Sequence, residues 1–297
     1  MREISDDIWI EEINKRFLES RKALHDLEIV TKKLEMVNEK LRQAEALRSD
    51  FLSNIRNEIN NPLAAILGMS KQLAEGVPDR ETAALMAEAI HQEAFELDFQ
   101  LKNIFIAAEI EAGESSLSVS RTDLAALVHG LIASFHHKAA EKNIRVNFEY
   151  DPSGPGELSL TTDPEKISCI LSNLLANAIE YSDAGKTVYL RARKDGRRLT
   201  VAVADEGIGI AEQDREKIFD RFLQLDAGAK KRHKGHGLGL SITKALTEIL
   251  DGEIALSCAL GKGCAFTLAV DDACDGQEPG ERSGDGNEYF FEDARKF

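Results

Sequence analysis

The chain has 297 residues, with 37 Lys and Arg against 52 Asp and Glu, a net charge of -15. At roughly 100–200 residues per domain, that length predicts two domains with extra arms. An apolar share of 43% supports a real core and excludes wholesale disorder, while the negative charge repels phosphate backbones, so no nucleic acid partner is expected.

No apolar run approaches the roughly 18–20 residues of a membrane span, and no signal peptide opens the chain, so no membrane insertion is expected. Cys169, Cys258, Cys264 and Cys274 have neither a CxxC pair nor zinc spacing. That predicts neither a metal site nor a disulfide scaffold, and a reduced, cytoplasmic protein.

Residues 6–50 contain no Gly and no Pro, and Ile10, Ile13, Phe17, Leu24, Leu27, Leu34 and Leu41 recur in steps of three and four. The count continues to Leu52 and Ile55, the pattern of a heptad seam. The length favours a dimeric coiled coil over a single amphipathic helix on a domain surface. The helix runs on past Pro62 to Leu73, and Gly76, Pro78 and Asp79 then form a turn. A second helix carries Ala87, Ile90, Ala94, Leu97, Leu101, Ile104 and Ala108, and stops at Gly113. One hairpin cannot bury both stripes, so two are expected to pair as a four-helix bundle.

After Gly113 the pattern predicts a helix over 123–141, a strand over 144–150 and a helix over 164–181. Alternating strands follow at 187–193 and 199–205, then a glycine-rich stretch, a helix over 238–250, and strands near 253–258 and 264–270. Helices with an antiparallel sheet make an α+β domain. From Asp271 onward nine acids stand against Arg282, Arg295 and Lys296, which predicts a disordered tail over 271–297.

Three features converge in the second domain. Asp205-Glu-Gly207-Ile-Gly209 follows a strand, Gly235-His-Gly237-Leu238-Gly239 leads into a helix, and Asn173 and Asn177 share the helix from 164. Glycines let the backbone approach phosphates, and a helix N-terminus offers free N–H groups to anions. A carboxylate after a strand accepts a bond from an exocyclic amine, and side-chain amides supply the oxygen ligands that Mg2+ prefers.

In this order and spacing the set resembles the ATP-binding domain of two-component sensor histidine kinases, which has the Bergerat fold. Asn173 and Asn177 match the family's N box, Asp205, Gly207 and Gly209 its first glycine box, Ile218–Phe222 its F box, and Gly235–Gly239 its second glycine box. Phe51–Leu63 resembles the family's phosphoacceptor helix. The resemblance, over roughly 45–270, implies a multi-domain protein. An all-α coiled coil (1–50) and a hairpin (51–114) that pairs as a dimeric four-helix bundle precede a two-layer α+β ATP-binding domain (115–270) and the acidic tail. It implies ATP and Mg2+ as cofactors, a homodimer, and a response-regulator receiver domain or another histidine kinase as partner. Asp205 is expected to read the adenine amino group, Asn177 to ligate Mg2+ with Asn173 beside it, and Tyr181 to line the pocket. Gly235, Gly237 and Gly239 should flank a lid near 223–236, whose Lys230, Lys231, Arg232 and Lys234 are candidates to neutralise the γ-phosphate.

Departures from the family's pattern carry the functional question. Glu180 stands where the family commonly has a Lys or Arg facing phosphate, so it either repels a triphosphate or turns to solvent. Asn173 replaces the water-activating Glu of related ATPases, so simple ATP hydrolysis is not expected. Asn57 occupies the place of the phosphoacceptor His. An amide nitrogen is not a nucleophile, so Glu58 has no imidazole to activate. Glu58-x-x-Asn61 still resembles the family's phosphatase motif, in which the Asn61 amide would position a water against a partner's aspartyl phosphate. Alternatively Asn61 has only a structural part, as a helix-breaking residue before Pro62. The expectation is a regulatory pseudokinase; the alternatives are a kinase using another acceptor and a response-regulator phosphatase.

Overall fold

A computed structural model describes residues 6–76, 79–150, 158–225 and 237–273. The chain forms two units, Met1–Ser53 and Asn54–Phe297. Helix α1 (Asp6–Glu75) contains Pro62, whose ring is buried. In the first unit the expected seam residues Phe17, Leu24, Leu27, Leu34 and Leu41 are 56–62% exposed along the single chain.

In the second unit, α2 (Arg80–Ala112) starts where the Asp79 carboxylate accepts from Thr82 N–H at 2.7 Å. It stops at Gly113, whose φ of 70° places it in the left-handed region. Beyond it lie β1 (Ser120–Asp123), α3 (Leu124–Ser134), α4 (His136–Glu141), β2 (Arg145–Tyr150), β3 (Ser159–Thr162), α5 (Pro164–Tyr181), β4 (Thr187–Asp195), β5 (Arg198–Ala204), α6 (Gly239–Ile249), β6 (Glu253–Cys258) and β7 (Cys264–Asp271). Among the described residues no helix is long and apolar enough to cross a membrane.

The sheet runs β2-β4-β5-β7-β6, with β1 and β3 as a separate antiparallel pair. Alternation decides its buried face. Val188, Leu190 and Ala192 of β4, Leu199, Val201 and Val203 of β5, and Phe266, Leu268 and Val270 of β7 are all buried. Helix α5 supplies the opposing stripe, Ile167, Ile170, Leu171, Leu174, Leu175, Ala178 and Ile179, spaced for one helical face. Each such Leu or Ile contributes about 1.5–3 kcal/mol on burial. A helical hairpin followed by a two-layer α/β domain is therefore the architecture, as the sequence predicts.

Five details differ from the sequence expectation. The sheet is mixed rather than antiparallel, because β2 pairs with β4 in parallel, Val146 beside Val188. The helix expected over 123–141 breaks at Phe135, whose φ of -90° and ψ of 3° leave the helical region while its ring is buried. The β1–β3 pair, four residues per strand, lies in segments where the sequence pattern predicts no strand. The first three residues of the tail expected from 271 belong to the folded domain, Asp271 as the last residue of β7. Asp272 accepts from Thr161 N–H at 2.7 Å and pairs with Lys194 at 2.9 Å, and Ala273 N–H donates to Thr161 O at 3.0 Å; 274–297 lie outside the described residues. Finally, Cys258 and Cys264 form a disulfide, where the cysteine spacing predicted none. The hairpin register, which no spacing rule reads, makes them direct cross-strand partners.

Candidate nucleotide site

A cavity of about 530 Å3 opens where the C-terminal half of α5, the glycine boxes and α2 meet. Asp205 lies in it because β5 ends at Ala204, so the next residue emerges at the edge of the sheet. The register pairs Ala204 with Ala265, which brings Asp205 beside Cys264. Asp205 Oδ1 accepts from Gly207 N–H at 2.9 Å and from Cys264 N–H at 3.2 Å. Among the described residues Oδ2 has no hydrogen bond, so one acceptor remains for a ligand. Burial pushes the Asp205 carboxyl above its ordinary range, and the two N–H bonds oppose that rise.

Gly209, at φ 68°, turns the chain in a conformation that a side chain would strain, and a Cβ there would collide with the carbonyl of Ala259. Gly237, also at φ 68°, does the same for the second box against the F box, its carbonyl accepting from Phe222 N–H at 3.0 Å. Phe222 itself is a non-glycine residue at φ 64°. Leu238 precedes α6 with no side-chain cap. The first N–H groups of α6 therefore have no partner within the helix, and Leu238, Gly239 and Leu240 line the cavity.

Helix α5 contributes Asn173, Asn177, Glu180 and Tyr181 to the lining. Asn177 is half-buried and its side chain carries no hydrogen bond among the described residues, so its amide oxygen is available to a hard cation. Asn173 is committed elsewhere: it is 2% exposed, and its Nδ2 donates to Asn103 Oδ1 of α2 at 2.9 Å. Tyr181, 37% exposed, stands at the mouth.

Glu180 neither turns to solvent nor stands alone against the cavity. Lys142, at the end of α4, lies 3.6 Å from its carboxylate, and the same ammonium donates to the carbonyls of Ile179 and Glu180. A cation thus sits beside the reversed charge, held at the negative end of the α5 dipole. Reading outward from α5 alone misses this partner, which lies 38 residues upstream.

The α2 wall was equally hidden. Its Phe95 and Phe99 meet Phe135 edge-on at 5.3 and 5.6 Å, Glu96 pairs with Lys138, and Phe99, Asn103 and Ile104 line the cavity. Phe95, Phe99 and Asn103 lie off the stripe read from the sequence, Ala87 to Ala108, and Ile104 is the stripe residue that also reaches the cavity. Of the remaining predicted residues, Gly207 is bonded to Asp205 Oδ1 and is outside the cavity lining. Asn61 is exposed on α1. Asn57 and Glu58 lie on α1, their side chains outside the described residues, as are Gly235 and the Lys230–Lys234 segment.

Comparison with known proteins agrees with this arrangement. Residues 162–273 match the family described as histidine kinase-, DNA gyrase B-, and HSP90-like ATPase, and residues 47–113 match the His Kinase A (phospho-acceptor) domain. The circadian input-output histidine kinase CikA of Synechococcus elongatus is 31% identical over 229 residues, 76% of this chain and 30% of that protein. The sensor-like histidine kinase SenX3 of Mycobacterium tuberculosis is 32% identical over 226 residues, 76% of this chain and 54% of its own length. The chain thus spans between 30% and 54% of the length of these relatives. Full-length ShkA, solved in complex with AMPPNP, aligns with a TM-score of 0.54 at 26% identity, covering 79% of this chain and 47% of that one. The chain belongs to the two-component sensor histidine kinase family, and its second domain is of the ATP-binding type.

Proposed function

We propose that this chain is a regulatory pseudokinase of two-component signalling. It binds ATP with Mg2+, forms a homodimer, and docks a response-regulator receiver domain or another histidine kinase. The observation that carries the reading is Asn57 in the phosphoacceptor segment, where the family has a nucleophilic imidazole. Its amide lone pair is delocalised into the carbonyl, so it cannot attack a γ-phosphate.

Support for the nucleotide half comes from the cavity. Asp205 Oδ2 would accept from the adenine amino group while Oδ1 stays fixed by Gly207 and Cys264. The N–H groups opening α6 would meet phosphate oxygens. The Asn177 amide oxygen fits one Mg2+ position, the rest being left to phosphate and water oxygens. When bound, Mg2+ neutralises charge on the phosphates. Lys142 would hold Glu180 away from them. The relative ShkA holds AMPPNP, an ATP analogue, in its solved structure. The homodimer reading rests on the exposed apolar series Phe17, Leu24, Leu27, Leu34 and Leu41. Calorimetric titration with Mg·ATP tests the nucleotide half: saturable binding below millimolar concentration is expected, and no heat from folded protein contradicts it.

A second reading has its own observation. Asn61 is exposed beside the buried Pro62, so its amide is open to a partner's aspartyl phosphate and a water. If it orients that water, wild type speeds phosphate loss from a receiver domain and Asn61→Ala does not, while Asn57→Ala keeps the effect. Equal activity of Asn61→Ala leaves the hairpin a docking surface only.

A further inference from the structure

The β6–β7 hairpin carries chemistry that nucleotide binding does not use. Cys258 ends β6, Cys264 opens β7, and the disulfide joins them as direct cross-strand partners. The connecting loop, 259–263, and the two cysteines that flank it are bonded to the segment of the first glycine box. Gly261 N–H donates to Ile208 O at 2.7 Å, and Asp205 N–H donates to Cys264 O at 2.8 Å. Ile210 N–H donates to Cys258 Sγ at 3.1 Å, and Cys264 N–H to Asp205 Oδ1 at 3.2 Å. Backbone meets backbone with no slack: a Cβ at Gly209 would collide with the Ala259 carbonyl, and one at Gly263 with the Asp205 carbonyl. Matter packed this closely transmits a displacement rather than absorbing it.

We propose that Cys258 and Cys264 are a reversible thiol–disulfide pair, exchanged by a small-molecule disulfide of the glutathione class, that sets nucleotide affinity through the Asp205 loop. The proposal rests on reading the cavity as a nucleotide site. From the dithiol, Cys258 loses its proton to solvent and its thiolate attacks one sulfur of the small disulfide, expelling one small thiolate, which takes up a proton. The Cys264 thiolate, its proton likewise lost, then attacks Cys258 Sγ, closes the protein disulfide and expels the second small thiol. The protein gives up two electrons and two protons, and the small disulfide becomes two thiols.

Cys258 is the entry point. It is half-buried at the end of the edge strand, close to Leu260, which is 72% exposed, whereas Cys264 is 7% exposed. Cys169 does not compete, because burial pushes its thiol up to about 12 and keeps it protonated. Reduction parts the two sulfurs to a non-bonded separation, and the hairpin shifts against the glycine box. The disulfide form is the one in which Cys264 N–H holds Asp205 Oδ1, so it is the form that binds nucleotide more tightly.

The test uses the full chain, oxidised with oxidised glutathione or reduced with dithiothreitol, its thiol state read by mass after alkylation. Affinity for a fluorescent ATP analogue with Mg2+ is measured in each state. The oxidised form is expected to bind about tenfold more tightly, the worth of one hydrogen bond to a charged group. Cys258→Ser is expected to bind like the reduced form under both conditions, and Cys169→Ser to keep the difference. Equal affinities in the two states overturn the proposal, as does a pair that neither forms nor opens in folded protein, or a Cys258→Ser variant that still responds. Binding in neither state overturns the nucleotide reading and this proposal with it.

Discussion

The side-chain amide of Asn173 donates a 2.9 Å hydrogen bond to the amide oxygen of Asn103, across the junction between α5 and α2. Asn103 is 6% exposed and Asn173 2%. The helix of the phosphoacceptor-type hairpin thus holds a residue of the N box directly, with Phe95, Phe99 and Phe135 packed further along the same junction. Removing one partner leaves a buried amide unsatisfied. Asn103→Ala is expected to lower stability by about 1–3 kcal/mol in urea unfolding, and Asn103→Ala with Asn173→Ala to cost less than the sum of the two single changes. Strict additivity would mean that the bond does not couple the two elements.

Lys142 and Glu180 form a compensating pair at the cavity wall. Lys142→Ala removes the cation that lies beside the Glu180 carboxylate at the proposed phosphate site. The pair is partly exposed, so the expected weakening of Mg·ATP binding is only a few-fold, about 0.2–1 kcal/mol. Glu180→Ala added to Lys142→Ala should restore affinity. A Lys142→Ala variant with unchanged affinity, read by calorimetry, means that Glu180 never faced the phosphates.

Asp205 gives a prediction with two opposite signs. Burial raises its folded value, so the ionised form opposes folding above that value and the strain is relieved as pH falls through it. Asp205→Asn keeps an acceptor for Gly207 and Cys264 and removes the buried charge. Its stability at neutral pH is expected to equal or exceed that of wild type, while ATP binding is lost. For wild type, affinity should fall on acidification at a pH above the ordinary carboxylate value of 3.8. Retained ATP binding in Asp205→Asn contradicts the adenine-reading role.

Asp163 behaves the other way. Burial raises its carboxyl, but bonds from Ser118 N–H and Lys166, with the charge of Lys166, outweigh that and hold it below the ordinary value. It caps α5 through Glu165 and Lys166 N–H, both at 3.1 Å, and pairs with Lys166 Nζ at 3.0 Å. Its contribution is present above the ordinary carboxylate value and lost as pH falls through the depressed folded value. Asp163→Ala is expected to destabilise by about 3 kcal/mol at neutral pH, with the deficit shrinking in acid. Chemical denaturation at two pH values checks both statements.

Local signals and long-range ones account for how much of this could be read from the sequence. Helix α5 was legible to its boundaries because Asp163, Pro164 and the apolar stripe from Ile167 to Ile179 all act within one helix. Gly113 ended α2 for an equally local reason, its left-handed φ. The glycine and asparagine boxes were legible through their resemblance in order and spacing to the family's, and Asn173, Asn177, Asp205, Gly209, Gly237 and Gly239 line one cavity. What the sequence hid depends on separations that no window spans. Parallel pairing of β2 with β4, the second working face of α2, Lys142 beside Glu180 and the Cys258–Cys264 pairing are all set by tertiary register. The break at Phe135 belongs with them, since burial of the ring outweighs a helix pattern that continues through it.

On the pseudokinase reading the chain handles ATP without forming a phosphohistidine at the usual place. Incubation of purified protein with γ-labelled ATP and Mg2+ tests it most directly. Asn57→His, with Glu58 beside it as base, serves as the restored control. No acid-labile label is expected on wild type and label is expected on Asn57→His, because phosphoryl transfer depends mainly on positioning and charge neutralisation that the rest of the site supplies. Acid-labile phosphate on wild type alone contradicts the account and makes the protein a kinase with another acceptor.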